Sequence, residues 1–226
     1  LPHGAQVWLP WIAGLCLMNI IYGGLVAMAQ KDLKFIIGYS SSSHMGYVLL
    51  GVAALTPLAL NGAVLLMFAH GIMTALAFAL VGHIYDETRT RHLPELGGLA
   101  KRLPFIATCG VIAAMASSGL PGFANFVAEL LVILGSWDRY RLQAILAILG
   151  IVITSVYMLR MVRGVFFGPL PLALAHTRDA STPFARLPYM VLIAALLLVG
   201  CWPGPLVRLI DVSSRPLIAR TILLMK

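Results

Sequence analysis

Apolar residues fill this chain in blocks of roughly 20, separated by short polar turns, a rhythm that predicts helices crossing a bilayer. Six blocks stand out: about Trp11 to Ala29, Ser43 to Leu55, Leu58 to Ile84, Leu103 to Gly135, Leu142 to Val162 and Tyr189 to Cys201. None alternates with period two, so the expected fold class is an all-α integral membrane protein of about six transmembrane helices rather than a barrel. Trp8 and Trp11 suit an interface at the start of the first block. Gln30-Lys31-Asp32-Leu33-Lys34 reads as a charged turn leading into Phe35 to Ser40. The run Ser40 to Ser43 then reads as the start of the second helix, serine being a good N-cap. After Pro205, Arg208, Arg215 and Arg220 alternate with Leu, Ile and Val, as in an amphipathic segment lying along the interface. Pro216 argues against one uninterrupted helix there.

The fourth block is long enough to cross more than once, and it contains Ser117-Ser118-Gly119-Leu120-Pro121-Gly122-Phe123-Ala124-Asn125-Phe126-Val127-Ala128-Glu129. Pro121 removes a backbone donor and clashes with the preceding turn, while Gly119 and Gly122 relax the chain. Two half-helices meeting at a break are expected. Glu129 lies roughly 10 Å past Gly122, with Asn125 one turn before it on the same face. A carboxyl in hydrocarbon costs about 2.5–3.5 kcal/mol on insertion scales. A broken helix with an ionisable group at depth is a common way to build an ion-translocation site. The alternative is a packing kink, with Glu129 paired to a neighbour or near the interface.

Composition agrees with membrane burial. The 226 residues are 60% hydrophobic and 11% charged, with a mean hydropathy of +0.94, whereas soluble domains are roughly half apolar and a quarter charged. The net charge of +8 does not indicate nucleic acid, because the basic residues sit in short loops between apolar blocks. One set of loops holds Lys31, Lys34, Arg89, Arg91, Lys101, Arg102, Arg160, Arg163, Arg178 and Arg186. The other side holds Arg139 and Arg141, plus Arg208, Arg215, Arg220 and Lys226 in the tail. The positive-inside rule puts the first set in the cytoplasm and both chain ends outside. Cys16, Cys109 and Cys201 lie far apart within apolar blocks and read as small buried hydrophobes. The chain opens Leu-Pro-His-Gly, without Met or a basic region, so no cleavable signal peptide is visible. It reads as the C-terminal part of something longer, or as a chain whose start is missing.

Two histidines fall in the second and third blocks. Ser40 and Tyr47 flank His44 at i−4 and i+3, and Thr74 follows His70 by one turn. Histidine titrates near neutral pH and hydroxyls extend hydrogen-bonded chains, so both are relay candidates; either is equally readable as a satisfied core residue. Together with Glu129 they put three ionisable groups in three consecutive spans, which need each other or water. Lys31 and Lys34 read as solvated, topology-setting residues. His83, Asp86, Glu87, His92 and Glu95 form a mixed-charge loop without regular metal-ligand spacing, and no nucleotide-binding loop is present. Any redox chemistry is expected elsewhere than on this chain, and no cofactor is expected on it.

Several motifs in order resemble one family. Ala29-Gln30-Lys31-Asp32-Leu33-Lys34, Tyr39-Ser40-Ser41, Ser43-His44-Met45-Gly46, Ala69-His70-Gly71, Gly97-Gly98-Leu99 and Gly119-Leu120-Pro121-Gly122 through Glu129 resemble the antiporter-like membrane subunits of proton-pumping NADH:quinone oxidoreductase. Glu129, where other such subunits commonly carry Lys, and His44 point to the subunit-4 type. The resemblance implies that residues 1–168 are the second of two inverted five-helix repeats, 169–204 a loop and last transmembrane helix, and 205–226 a tail. It implies a proton relay through His44 and His70 to a terminal site at Glu129, with Lys34 matching a family lysine of less clear role. It further implies neighbouring membrane subunits as partners, with NADH, FMN, iron–sulfur clusters and quinone used on other chains. The membrane would be a bacterial inner membrane or an organellar one. The first repeat, with its own Glu and Lys, has no counterpart here. Other readings are a scaffold subunit that carries no protons, and the equivalent subunit of a membrane-bound hydrogenase, a cation/proton antiporter or an ion-driven carbon-uptake system.

Overall fold

In the computed structural model residues 2–225 are described, and Lys226, counted above, lies outside them. The described residues form eight α-helices: α1 Pro2–Ala29, α2 Leu33–Ala54, α3 Pro57–Thr88, α4 Pro104–Ser117, α5 Ala124–Ser136, α6 Arg141–Phe166, α7 Pro183–Cys201 and α8 Gly204–Met225. Four stretches, Val7–Ala29, Pro57–Thr88, Arg141–Phe166 and Pro183–Cys201, are long and apolar enough to cross a membrane alone. The 22-residue α2 crosses beside them despite its serines, and α4 with α5 makes the broken crossing.

Tertiary contacts gather the basic loops at one end, as the charge pattern predicts. The Leu33 amide donates to Arg91 O (3.0 Å), the Gly98 amide to Phe167 O (3.2 Å) and the Arg178 amide to Glu87 Oε2 (2.7 Å). The N-terminus of α4 is capped from far along the chain: Asp179 accepts from the amides of Phe105 (2.7 Å) and Ile106 (3.3 Å). Its orphan donors are thus satisfied by a carboxylate that also suits the positive end of the helix dipole. At the opposite end Thr56 caps α3 at the Ala59 amide and donates to Gly135 O (2.7 Å), tying α3 to the end of α5.

Three expectations are corrected. Cys201, the last residue of α7, is exposed rather than buried. The second helix starts at Leu33, not Ser43, and its N-cap is Asp32, which accepts from the Lys34 amide (2.8 Å). The serines are instead interhelical groups: Ser43 donates to Ile20 O (2.8 Å), and Ser42 and Asn19 exchange two bonds. The tail is one helix through Pro216. Proline deprives Val212 of its i+4 donor, and Val212 is 75% exposed, so that carbonyl can be served by solvent. The α8 helix docks on α3 through Asn61, whose amide donates to Asp211 (2.7 Å) while its oxygen accepts from Ser214.

Apolar packing falls into two layers. Leu33, Ile37, Leu80, Ile84, Leu99 and Leu103 belong to the one under the basic loops. Leu9, Ala13, Leu50, Leu66, Val132 and Ala144 belong to the other. The buried polar residues Ser40, His44, His70, Ser117, Asn125, Glu129 and Thr154 lie at the seam between the two layers. Apolar packing on both sides leaves these groups few partners beyond one another.

Candidate functional site

The site begins with the break between α4 and α5. Ser118 ends α4 by donating its amide to Ala114 O (2.9 Å), and the Leu120 amide still reaches Met115 O (3.1 Å). Gly119 and Gly122 then take φ of +65° and +102° on either side of Pro121, a left-handed path that a side chain would strain. The chain re-enters helix at Ala124, which puts Asn125 and Glu129 on one face of α5, pointing at α2 and α3.

The α5 helix can come this close because α3 carries Gly62 at the crossing. A Cβ there would lie 2.6 Å from the Val132 amide nitrogen and 2.8 Å from Ala128 O. The same approach brings Glu129 to His44: Oε1 lies 3.0 Å from Nδ1, with each side chain only 2% exposed. The two atoms do not meet in hydrogen-bond geometry, so this is a close polar contact rather than a formed hydrogen bond. On its other edge His44 Nε2 faces Ser117 Oγ at 3.4 Å. The His44 and His70 rings are 5.0 Å apart between centroids and tilted by 42°. His70 Nε2 in turn pairs with Thr74 Oγ1 at 3.1 Å.

Thr74, His70, His44 and Glu129 therefore lie side by side across α3, α2 and α5, with no hydrogen bond between the two rings and His70 Nδ1 without a partner among the described residues. Asn125, fully buried, makes no hydrogen bond to the described residues with either amide atom. Such a group is the kind that ordered water serves in a protein interior.

Of the sequence candidates, His44, His70 and Glu129 come together. Lys34 does not: it sits exposed in the first turn of α2, about 15 Å of helix from His44. Three buried participants escape a sequence reading. Ser117 is the last residue of α4, and Tyr157 donates to Ser40 Oγ (2.7 Å) and faces Thr154 (3.4 Å), one turn of α2 from His44. The available signal was a tyrosine in mid-span with a threonine three residues before it, since a buried phenol needs a partner. The expected mixed-charge loop is corrected: His83, Asp86 and Glu87 lie in the last turns of α3, where Glu87 accepts from the Arg178 amide, and only His92 and Glu95, paired at 3.3 Å, follow the helix.

Comparison with known proteins agrees with this architecture. NAD(P)H-quinone oxidoreductase chain 4 1 of Synechococcus elongatus is 39% identical over 97% of the chain, and chain 4 of Gloeobacter violaceus is 39% identical over 89%. The chain covers 42% and 40% of those relatives, so it spans less than half their length. Among solved structures, a chain of respiratory complex I from Thermus thermophilus superposes on the whole chain with a TM-score of 0.90 at 30% identity, 46% of it being covered. A chain of the Mrp complex from Dietzia shares the fold (TM-score 0.83, 24% identity, 96% of this chain and 49% of that one). Residues 2–154 match the transmembrane family described as NADH:quinone oxidoreductase/Mrp antiporter, and the chain belongs to that family.

Proposed function

We propose that this chain carries protons within a redox-driven membrane complex, as part of a subunit of the quinone-oxidoreductase chain 4 type. The observation that carries the reading is the buried contact between His44 Nδ1 and Glu129 Oε1, 3.0 Å long. A scaffold has no use for it, because apolar residues of equal volume would hold the same helices without the desolvation penalty.

The chemistry follows from the row. A proton reaching His70 passes to His44, whose charged ring is stabilised by the Glu129 carboxylate. Transfer to Glu129 leaves a neutral imidazole and a neutral acid, which removes the ion pair and resets His44 to accept again. Release from Glu129 proceeds along the Asn125 face of α5. Electron transfer belongs to other subunits, which act on this row by changing the charge or hydration around it. The partners in this reading are neighbouring membrane subunits and lipid, and the membrane is a bacterial inner membrane or its organellar equivalent.

Replacing Glu129 by Gln keeps shape and removes the titratable group. In the assembled complex, Glu129→Gln lowers proton pumping per electron while the complex stays assembled. Unchanged pumping at normal assembly overturns the reading in favour of a scaffold.

A further inference from the structure

Where α6 emerges among the basic loops, a groove of about 630 Å³ opens against the turn at residues 93–95. Leu93, Pro94, Arg160, Arg163, Gly164 and Phe167 line it. Its walls are held in place by the structure around them. The Leu93 amide donates to Lys31 O (2.7 Å), and the Gly98 amide donates to Phe167 O (3.2 Å). Leu93 also packs so closely on Gly164 that a Cβ there would lie 2.8 Å from Leu93 Cδ1.

Arg160 and Arg163, three residues apart, share one face of α6. Both are exposed, and among the described residues neither pairs with a carboxylate. Arg160 gives one N–H to Met28 O and keeps the rest of its fork. Glu95, which follows Pro94 at the groove wall, is turned to His92 and Thr90 instead. Beside and one turn below Arg160 the α6 surface is already apolar, with Leu159 64% and Val156 49% exposed. The two guanidinium groups therefore stand at the boundary between hydrocarbon and headgroups.

We infer that this groove binds the phosphodiester of an anionic phospholipid. Guanidinium forks match phosphate oxygens in pairs, which a point charge cannot do. The groove lies at the end that the charge bias assigns to the cytoplasmic leaflet, where basic pockets between helices take acidic headgroups. Leu93, Pro94 and the half-exposed Phe167 offer apolar walls to the glycerol and upper acyl carbons. A zwitterionic lipid would bring its own cation against the two arginines, so acidic lipids are preferred. The proposal stands independently of proton transport.

The test uses the intact complex in phosphatidylcholine nanodiscs containing a minor fraction of diazirine-bearing phosphatidylglycerol, with labelled peptides mapped by mass spectrometry. Labelling is expected on the segments around Leu93–Pro94 and Gly164–Phe167, falling about tenfold in the Arg160→Gln/Arg163→Gln double variant. Millimolar inorganic phosphate leaves it unchanged. Absence of label there in the unaltered complex overturns the proposal whether or not the variant assembles, as does label on a neighbouring subunit seated in the groove. Undiminished labelling in an assembled double variant also overturns it, and competition by phosphate would assign the groove to a soluble anion instead.

Discussion

Gly119 and Glu129 are fitted to one another: a Cβ on Gly119 would sit 2.8 Å from Glu129 Oε2. The break in the fourth crossing is thus more than a hinge. It supplies a residue with no side chain at the one place where the carboxylate presses against backbone.

Gly119→Ala therefore carries two penalties, the left-handed backbone at φ +65° and the collision with Oε2. Gly122→Ala carries only the first, since nothing lies within 4 Å of its added Cβ. Each backbone penalty is of order 1–3 kcal/mol. Thermal unfolding should show a loss in both variants, and only Gly119→Ala should shift the infrared carboxyl band of Glu129. Equal shifts in both variants would dissociate the glycine from the carboxylate.

Tyr157→Phe removes one hydroxyl and leaves Ser40 Oγ without its 2.7 Å donor in a buried seam. A loss of about 1–2 kcal/mol in stability is expected. Double-mutant analysis with Ser40→Ala should show that the two losses are not additive. Additive losses would mean that the bond contributes nothing.

Lys34→Gln tests the boundary of the site. The residue is exposed and far along α2 from His44, so stability should change by no more than about 0.5 kcal/mol and pumping should persist. Loss of pumping in Lys34→Gln with intact assembly would extend the proton path to the basic end of the bundle.

The docking of α8 is expected to weaken as pH falls. Asp211 is held below its usual carboxylate value, first by the hydrogen bond from Asn61 and then by Arg215. A depressed folded-state value makes its contribution present above the ordinary value of about 3.8 and lost as pH falls through the folded one. Pepsin should therefore release α8 faster as pH drops below about 4, and Asp211→Asn should flatten that dependence. A cleavage rate in Asp211→Asn that keeps the same pH profile would assign the effect to another group.

The broken crossing and its carboxylate were legible because proline, glycine and a buried acid are strong local signals within 11 residues, from Gly119 to Glu129. The start of α2 was not, because Ser40 to Ser43 look the same whether they cap a helix or bond to a neighbour. Only the position of Asn19, Ile20 and Tyr157 across the interface decides between the two. The capping of α4 by Asp179, more than 70 residues away, leaves no trace in spacing. Pro216 misled because a proline's penalty depends on whether the freed carbonyl meets solvent. The charge bias succeeded at a coarser level: it separates the two ends of the bundle without saying which groups meet there.

Infrared difference spectroscopy of the assembled complex, before and during quinone reduction, tests the central claim most directly. A protonated-carboxyl band that changes with turnover in the unaltered complex and disappears in Glu129→Gln is the predicted result. The same band persisting in Glu129→Gln, or no carboxyl change at all during pumping, would contradict a mobile proton on the His44–Glu129 pair.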